Sequence, residues 1–307
     1  MTEQERLTRM RSNLARRAEL FRLVRRFFQE NGFLEVETPM RAPAIAPEAN
    51  ITPVESEGWY LIASPELHMK RLLAAGYERI FQISRCFRRA ERGRLHNPEF
   101  TLLEWYRAGA DYLDIVRDTE QLLLFLAENI WRTAVIDYQG QQIDLALPWE
   151  YLDVKQAYIA SVGWDPVEAF DVRRFDDDMA LQIIPSLPLN RPVVLKDYPK
   201  EAASLARLKP QDPGVAERAE VFIGGLELAN VYSELNDRKE QMWRFAEEAA
   251  LIEKTQGRRA PMPQSFLEAL GHMPPAGGVA LGLDRLAMLF CNASSINEVL
   301  AFTVDTA

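Results

Sequence analysis

Two stretches, Ile80 to Arg88 and Glu99 to Arg107, each alternate apolar and polar residues and are joined by a polar loop, so they read as two antiparallel strands. Parity on the second is the tightest constraint in the chain. Phe100, Leu102, Glu104 and Tyr106 share one face, which places a carboxylate and a phenol among apolar neighbours. Elsewhere strands and helices do not alternate as βαβ units, so the pattern is α+β, with a large antiparallel sheet flanked by helices.

Along the chain, Ser12 to Asn31 reads as an amphipathic helix, with Leu14, Ala18, Phe21, Val24 and Phe28 at helical spacing and Gly32 ending it. Phe33 to Thr38 runs extended into Pro39, and Trp59 to Ala63 forms a short strand. Ser64-Pro65-Glu66 opens a helix from Leu67 to Ala75, with Ser64 as cap and Pro65 at the first helical position. Asp111 to Trp131 reads as a helix, Ala134 to Leu145 as a hairpin around Gln139-Gly140, and Leu152 to Pro188 as mostly helical. The segment from about 111 to 190 is thus expected to be a helical insertion, and it carries no chemical signature. Pro192 to Leu195 and Ala203 to Leu208 read as strands, and Ala216 to Leu235 as one long extended run. Asp237 caps a helix to about Lys254, Gln264 to Leu270 makes a shorter one, and Val279 to Leu283 is a strand feeding a last helix at Asp284.

Composition narrows the chemistry. At 307 residues, 48% hydrophobic and 26% charged, the chain can bury a real core and is neither disordered nor fibrous. Its longest apolar stretch, Leu122 to Ala127, cannot span a bilayer, and the Arg-rich start lacks an apolar signal core, so a cytoplasmic protein without membrane contact is expected. Cys86 and Cys291 are the only cysteines and there are three histidines, which leaves no disulfide framework or zinc cluster. A metal here should be a hard ion on carboxylates. The net charge of −9 is a poor footprint for nucleic acid, and the eight arginines among residues 1–30 read as a solvated helix face.

No Gly-x-x-x-x-Gly-Lys-Ser/Thr and no convincing Gly-x-Gly-x-x-Gly occurs, so a phosphate-handling site needs another device. Three segments supply one: Gly32-Phe-Leu-Glu-Val-Glu-Thr-Pro39, Cys86 through Tyr106, and Gly277-Gly-Val-Ala-Leu-Gly-Leu-Asp-Arg285. In this order and at these separations they resemble motifs 1, 2 and 3 of class II aminoacyl-tRNA synthetases. The resemblance is strongest to the catalytic domain of lysyl-tRNA synthetases, through Ser64-Pro-Glu66, His96-Asn-Pro-Glu-Phe100, Ile223 to Asn230 and Ser233-Glu-Leu-Asn236. Motif 1 begins almost at once, which leaves no room for an amino-terminal anticodon-binding domain, and Ala280 stands where lysyl-tRNA synthetases carry Gly. A free-standing core of this kind resembles the EpmA family, which attaches (R)-β-lysine to a lysine of elongation factor P. The expectation is one class II catalytic domain over residues 1–307 that uses ATP and Mg²⁺, with (R)-β-lysine or lysine and elongation factor P as substrates.

Carboxylate activation by ATP needs cations on the phosphates, a divalent metal, and a grip that aligns the amino acid with the α-phosphate. Arg88, at the end of the first motif 2 strand, can bridge substrate carboxylate and α-phosphate with its guanidinium fork. The resemblance places His96 on the outer phosphates, Phe100 against adenine, and Arg285 on the other adenine face and the γ-phosphate; Arg88 and Arg285 are the expected catalytic residues. It makes Glu220 and Glu227 the Mg²⁺ pair. Seven apart in one strand they would face opposite sides, so a bulge permitted by Gly224-Gly225 is expected between them. For a diamine substrate the resemblance supplies Ser64, Glu66 and Glu104 near the first amino group, Tyr106 and Glu234 at the distal ammonium, Asn230 for the carboxylate, and Ala280 in the wall. The carboxylates together, without cations of their own, argue for a dicationic ligand. Where the family reads Arg-x-Glu in motif 2, this chain reads Arg88-Arg89-Ala90 and then Glu91, so adenine is read by backbone groups or by Glu91.

Three rivals share these residues: a truncated lysyl-tRNA synthetase paralogue charging tRNA or another acceptor, an inactive regulatory relative, and an amide-forming synthetase of the asparagine synthetase type. An acidic body counts against tRNA, and retention of Arg88, Glu220, Glu227 and Arg285 counts against inactivity. Motif 1 implies a homodimer, and the Leu14, Phe21, Phe28 stripe needs covering.

Overall fold

The computed structural model describes residues 2–89 and 91–307; the motif 2 departure at Ala90 therefore lies outside the described residues, as does Met1. Thr2 and Glu5 form a capping box at α1 (Glu3–Arg9), and α2 (Arg11–Glu30) follows after Met10. Beyond β1 (Leu34–Glu35), the short strands β2 (Arg41–Ala42), β3 (Val54–Ser56) and β4 (Trp59–Leu61) make a small sheet of their own. Next come α3 (Glu66–Ala74), β5 (Arg79–Phe87), β6 (Glu99–Ala108) and α4 (Tyr112–Trp131), the last capped reciprocally by Asp111 and Asp114. β7 (Val135–Tyr138) and β8 (Gln141–Asp144) form the anticipated hairpin, with Gln139 and Gly140 both at positive φ. The chain continues through β9 (Glu150–Asp153), α5 (Val154–Val162), α6 (Val172–Asp178) and α7 (Ile184–Ser186). Its last part contains β10 (Val193–Pro199), β11 (Leu208–Lys209), β12 (Asp212–Ile223), β13 (Leu226–Ser233), α8 (Arg238–Gln256), α9 (Gln264–Leu270), β14 (Ala276–Gly282) and α10 (Leu283–Phe290).

The main sheet has nine strands in the order β1-β5-β6-β14-β13-β12-β10-β9, with β11 beside β12. Its interior is antiparallel as expected; at the two edges β1 runs parallel to β5 and β9 to β10. Strand parity then divides the faces. Leu103 and Trp105 of β6 join Phe81, Val279, Leu281, Phe28 and the inner sides of α4 and α10 in the main core. Phe28 stacks on Phe81 with centroids 4.7 Å apart and meets Trp105 at 5.1 Å, so this wedge excludes water from one whole side of the sheet. Phe100, Leu102, Glu104 and Tyr106 face the other side.

Several expectations are corrected here. The stripe on α2 is covered in part by the chain itself: Phe28 is fully buried in the core and Phe21 packs against it half-buried, while Leu14 stays half-buried outside that core. The arginine face of α2 is not merely solvated: Arg16 donates to the Phe290 carbonyl, Arg17 pairs with Asp284 at 2.6 Å, and Arg22, Arg25 and Arg26 pair with Glu19, Glu35 and Glu30. The segment 111–190 is not an insertion throughout. α4 lies in the main core and β9 completes the sheet, leaving α5 to α7 as a satellite core over β9 and β10, centred on Tyr158 and Phe175. The Ala203 to Leu208 strand is reduced to a single bridge from Ala206 to Glu234 and to Leu208 in β11. Finally, Ala216 to Leu235 is a hairpin, because Gly224 and Gly225, at φ 58° and 78°, reverse the chain.

Candidate active site

The polar face of the sheet looks into a cavity of about 770 Å³. Register fixes what points into it. Glu104 of β6 lies opposite Ala280 of β14, Ala280 opposite Asn230 of β13, and Asn230 opposite Glu220 of β12. A second row, two residues along, runs Tyr106, Gly278, Tyr232, Arg218. Ser64, Glu66, Arg88, His96, Phe100, Glu227, Asn230, Ala280 and Arg285 line the cavity, whereas Glu104, Tyr106, Glu220 and Glu234 are packed behind its wall.

One end is cationic. Arg88 leaves β5 with its guanidinium 5.1 Å over the Phe100 ring and its Nη1 donating to Glu91 Oε1 at 3.0 Å. Its Nε is buried with no partner, a donor still owed an acceptor. Burial opposes its charge, but Glu91 and Glu48 outweigh that and hold it firmly protonated. Arg285, in the first turn of α10, donates through Nη1 to the Glu227 carbonyl at 2.7 Å, and its Nη2 lies 2.7 Å from His96 Nε2. Asp284 beside it serves the framework, accepting from the Thr101 amide at 2.7 Å and pairing with Arg17, which locks α2, β6 and α10 together. Glu91, which also lines the cavity, pairs with Arg88 through Oε1.

Glu220 and Glu227 come onto a common face, but by a route other than the one expected. They sit on adjacent strands across the Gly224-Gly225 turn, and the register slips by one residue at Leu228, between the pairs Val221–Ala229 and Phe222–Glu227. Glu220 accepts from Tyr198 Oη at 2.7 Å and from Arg218 Nη2 at 2.6 Å. Glu227 opens into the cavity, and its pKa is raised first by desolvation and then by the charge of Glu220. Among the described residues no group of three or more His, Cys, Asp and Glu side chains is placed to hold an ion. The Glu227 carboxylate, facing the cavity next to the buried Glu220, could join it in holding a Mg²⁺ that completes its shell with phosphate oxygens and water.

The other end is acidic. Glu104, wholly buried, accepts from Ser64 Oγ at 2.7 Å and from Tyr106 Oη at 2.9 Å; burial and then Glu66 push it up to about 8. Ser64 also accepts from the Glu66 amide at 3.0 Å, which partly bears out its capping role, although the cap position itself falls on Pro65. Glu234, 1% exposed, is pushed up to about 7 by burial, with Lys70 pulling the other way. Here the expectation of carboxylates lacking any cation is wrong. Lys70, one turn beyond Glu66 on α3, places its Nζ against both Glu66 and Glu234. Its place among Leu67, Met69 and Leu73 on the buried side of α3 was the available signal. Arg218 was also missed: it donates to Asn230 Oδ1 at 3.2 Å, which leaves the Asn230 amide nitrogen as the donor for a carboxylate.

Comparison with known proteins adds the following. A family model described as tRNA synthetases class II (D, K and N) matches residues 3–306. Curated relatives named elongation factor P–(R)-beta-lysine ligase include those of Hamiltonella defensa, 36% identical, and Klebsiella pneumoniae strain 342, 38% identical, each matched over 96% of both chains. The Salmonella typhi protein of the same name is 37% identical, again over 96% of both chains.

Proposed function

The chain belongs to the class II tRNA synthetases of the D, K and N group and, within them, to the elongation factor P–(R)-β-lysine ligases, and we propose that its cleft activates (R)-β-lysine with ATP and transfers it to a lysine of elongation factor P. The protein is a ligase. The observation that carries the assignment of its site is the polarity of the cleft, with Arg88, His96 and Arg285 at one end and Glu66 at the other, backed behind the wall by Glu104 and Glu234. A diamino acid lies between them with its carboxylate toward the cations and its ammonium groups toward the carboxylates.

Arg88 neutralises both the entering carboxylate and the α-phosphate, which lets two anions meet; a carboxylate oxygen attacks the α-phosphorus and pyrophosphate leaves. Phe100 and Arg285 sandwich adenine, His96 and Arg285 hold the outer phosphates, and Asn230 orients the substrate carboxylate. Mg²⁺ held by Glu220 and Glu227 would neutralise phosphate charge. In the second step the ε-amine of the acceptor lysine attacks the acyl carbon, AMP departs with the bonding pair, and the amine surrenders a proton. An acceptor that is a translation factor supports a cytoplasmic location for the enzyme. A homodimer fits the exposed Leu34, Met40 and Trp59 around motif 1.

Exchange of pyrophosphate into ATP with α-lysine, (R)-β-lysine and (S)-β-lysine tests this reading, followed by transfer to purified elongation factor P. The (R)-β isomer should be preferred. Ala280 lies between Glu104 and Asn230, so Ala280→Gly should raise activity with α-lysine roughly tenfold, within the 1–3 kcal/mol that one methylene is worth. Charging of tRNA with α-lysine, with elongation factor P left unmodified, would overturn the assignment.

A further inference from the structure

Lys70 lies 1% exposed among three carboxylates and a phenol. Its Nζ touches one oxygen each of Glu66 and Glu234 and stands 6.0 Å from the centre of the Tyr106 ring. Burial alone would drive a lysine toward neutrality, yet Glu234 and Glu66 more than offset it and hold Lys70 protonated. Glu104 already accepts at both oxygens, from Ser64 and Tyr106, whereas Glu234 Oε1 is buried without a donor. That oxygen lies close against Gly278, where even a methyl group would lie 2.3 Å from it.

Resting on the reading that the cleft takes a diamino acid, the geometry points to Lys70 as a positioning residue for substrate selection, its ammonium clamping Glu66 to Glu234. The clamp does two things. It fixes Glu234 so that its second oxygen is offered in one place to a distal ammonium. It also places one cation in an acidic end where Glu66, Glu104 and Glu234 would otherwise gather with none. Without it, a buried carboxylate keeps its proton and the distal ammonium loses its partner.

Pyrophosphate exchange is measured on the wild type and on Lys70→Met between about pH 6 and pH 9, with (R)-β-lysine and with 3-aminohexanoate, which lacks the distal amine. KM for (R)-β-lysine should rise roughly tenfold or more, while KM for 3-aminohexanoate moves about twofold at most and kcat about threefold. The pH at which KM for (R)-β-lysine falls, governed in the wild type by Glu234 at about 7, should move up by roughly one unit or more, since the neighbouring groups Glu66, Glu104 and Tyr106 offer no other cation. Lys70→Arg, which keeps the charge, should restore the preference. Should Lys70→Met not fold, Lys70→Gln carries the same expectations. An unchanged KM ratio and pH profile in an active enzyme would overturn the role of Lys70 alone; a wild type inert toward every lysine isomer would overturn the diamine reading and this role with it.

Discussion

Gly278 tests the acidic end most directly, because its glycine is there for space. Its φ lies outside the left-handed region, so a side chain would meet no backbone strain. An added Cβ would lie 2.3 Å from Glu234 Oε1, 2.3 Å from Tyr106 Cε1 and 2.4 Å from Tyr106 Cδ1. Ordinary contact needs more than an ångström beyond that, and neither neighbour yields freely: Tyr106 is held by Glu104 and Glu234 by Lys70. Gly278→Ala should therefore cost about 1–3 kcal/mol, the usual range for overpacking, and lower Tm by roughly 2–6 °C. Displacing both groups by about 1 Å also weakens a hydrogen bond to an ammonium, worth about 1.5–3 kcal/mol, so KM for (R)-β-lysine should rise roughly ten- to a hundredfold. Thermal melting and pyrophosphate exchange read the two effects. Gly277→Ala is the control: its Cβ would meet Ile115 Cγ1 at 2.6 Å and the Asp111 carbonyl at 2.8 Å, so it should cost stability and leave KM alone. A folded Gly278→Ala enzyme with KM within about twofold of wild type would refute the placement of Glu234 and Tyr106 at the substrate.

Arg285→Ala should lower exchange roughly a hundred- to a thousandfold with the melting temperature little changed, since its partners are a carbonyl, His96 and a loosely placed Glu227; a rate within about tenfold of wild type would remove it from the triphosphate. Glu104 at about 8 and Glu234 at about 7 are increasingly neutral below those values, so KM for (R)-β-lysine should fall as pH rises through them, and a flat profile would count against both as ligands. Both folded pKa values are raised above 4.5, so these groups contribute stability that is complete below about 4.5 and lost as pH rises past 7 to 8. The unliganded protein should accordingly melt lower at pH 8.5 than at pH 6, with the upshift caused by substrate growing over the same range.

Parity and local pattern carried the sheet. The alternation in 80–88 and 99–107 located β5 and β6 and assigned Glu104 and Tyr106 to one face, because a half-buried strand must alternate. The reversal at Gly224-Gly225 went unread, with Ala216 to Leu235 read as one extended run, although two glycines between strand-like runs are a hairpin signal. Glu104 was legible for a related reason, because an acid at a core position of a strand is conspicuous, whereas Glu66, Glu220, Glu227 and Glu234 came from the resemblance. Lys70 went unread although Leu67, Met69 and Leu73 mark its side of α3 as buried: a lysine four residues after a glutamate is the commonest kind of surface pair, and Glu234, just past β13 and far along the chain, makes it a buried one. The middle segment misled because α4 is apolar enough to be core, but nothing local says which sheet face it covers.

The site draws its dimensions from hydrogen-bonded strands rather than from loops. Glu104, Ala280, Asn230 and Glu220 occupy successive strands of one register row, so three steps of about 4.8 Å set roughly 14 Å between the first and last backbones. That span is fixed before any side chain moves, and it separates Glu104 at one end of the row from Glu220 at the other. An isomer whose amine is shifted by one carbon cannot be accommodated by sliding strands, since one step of register would turn each residue of the row to the opposite face. Accommodation is left to side chains standing between the ends, and in this row Ala280 is the smallest. A preference between lysine isomers must then be written in a methyl group and in the rotamers of Glu66, Glu104 and Glu234, which is why Lys70, by fixing two of those three, bears on selectivity without touching the reacting atoms.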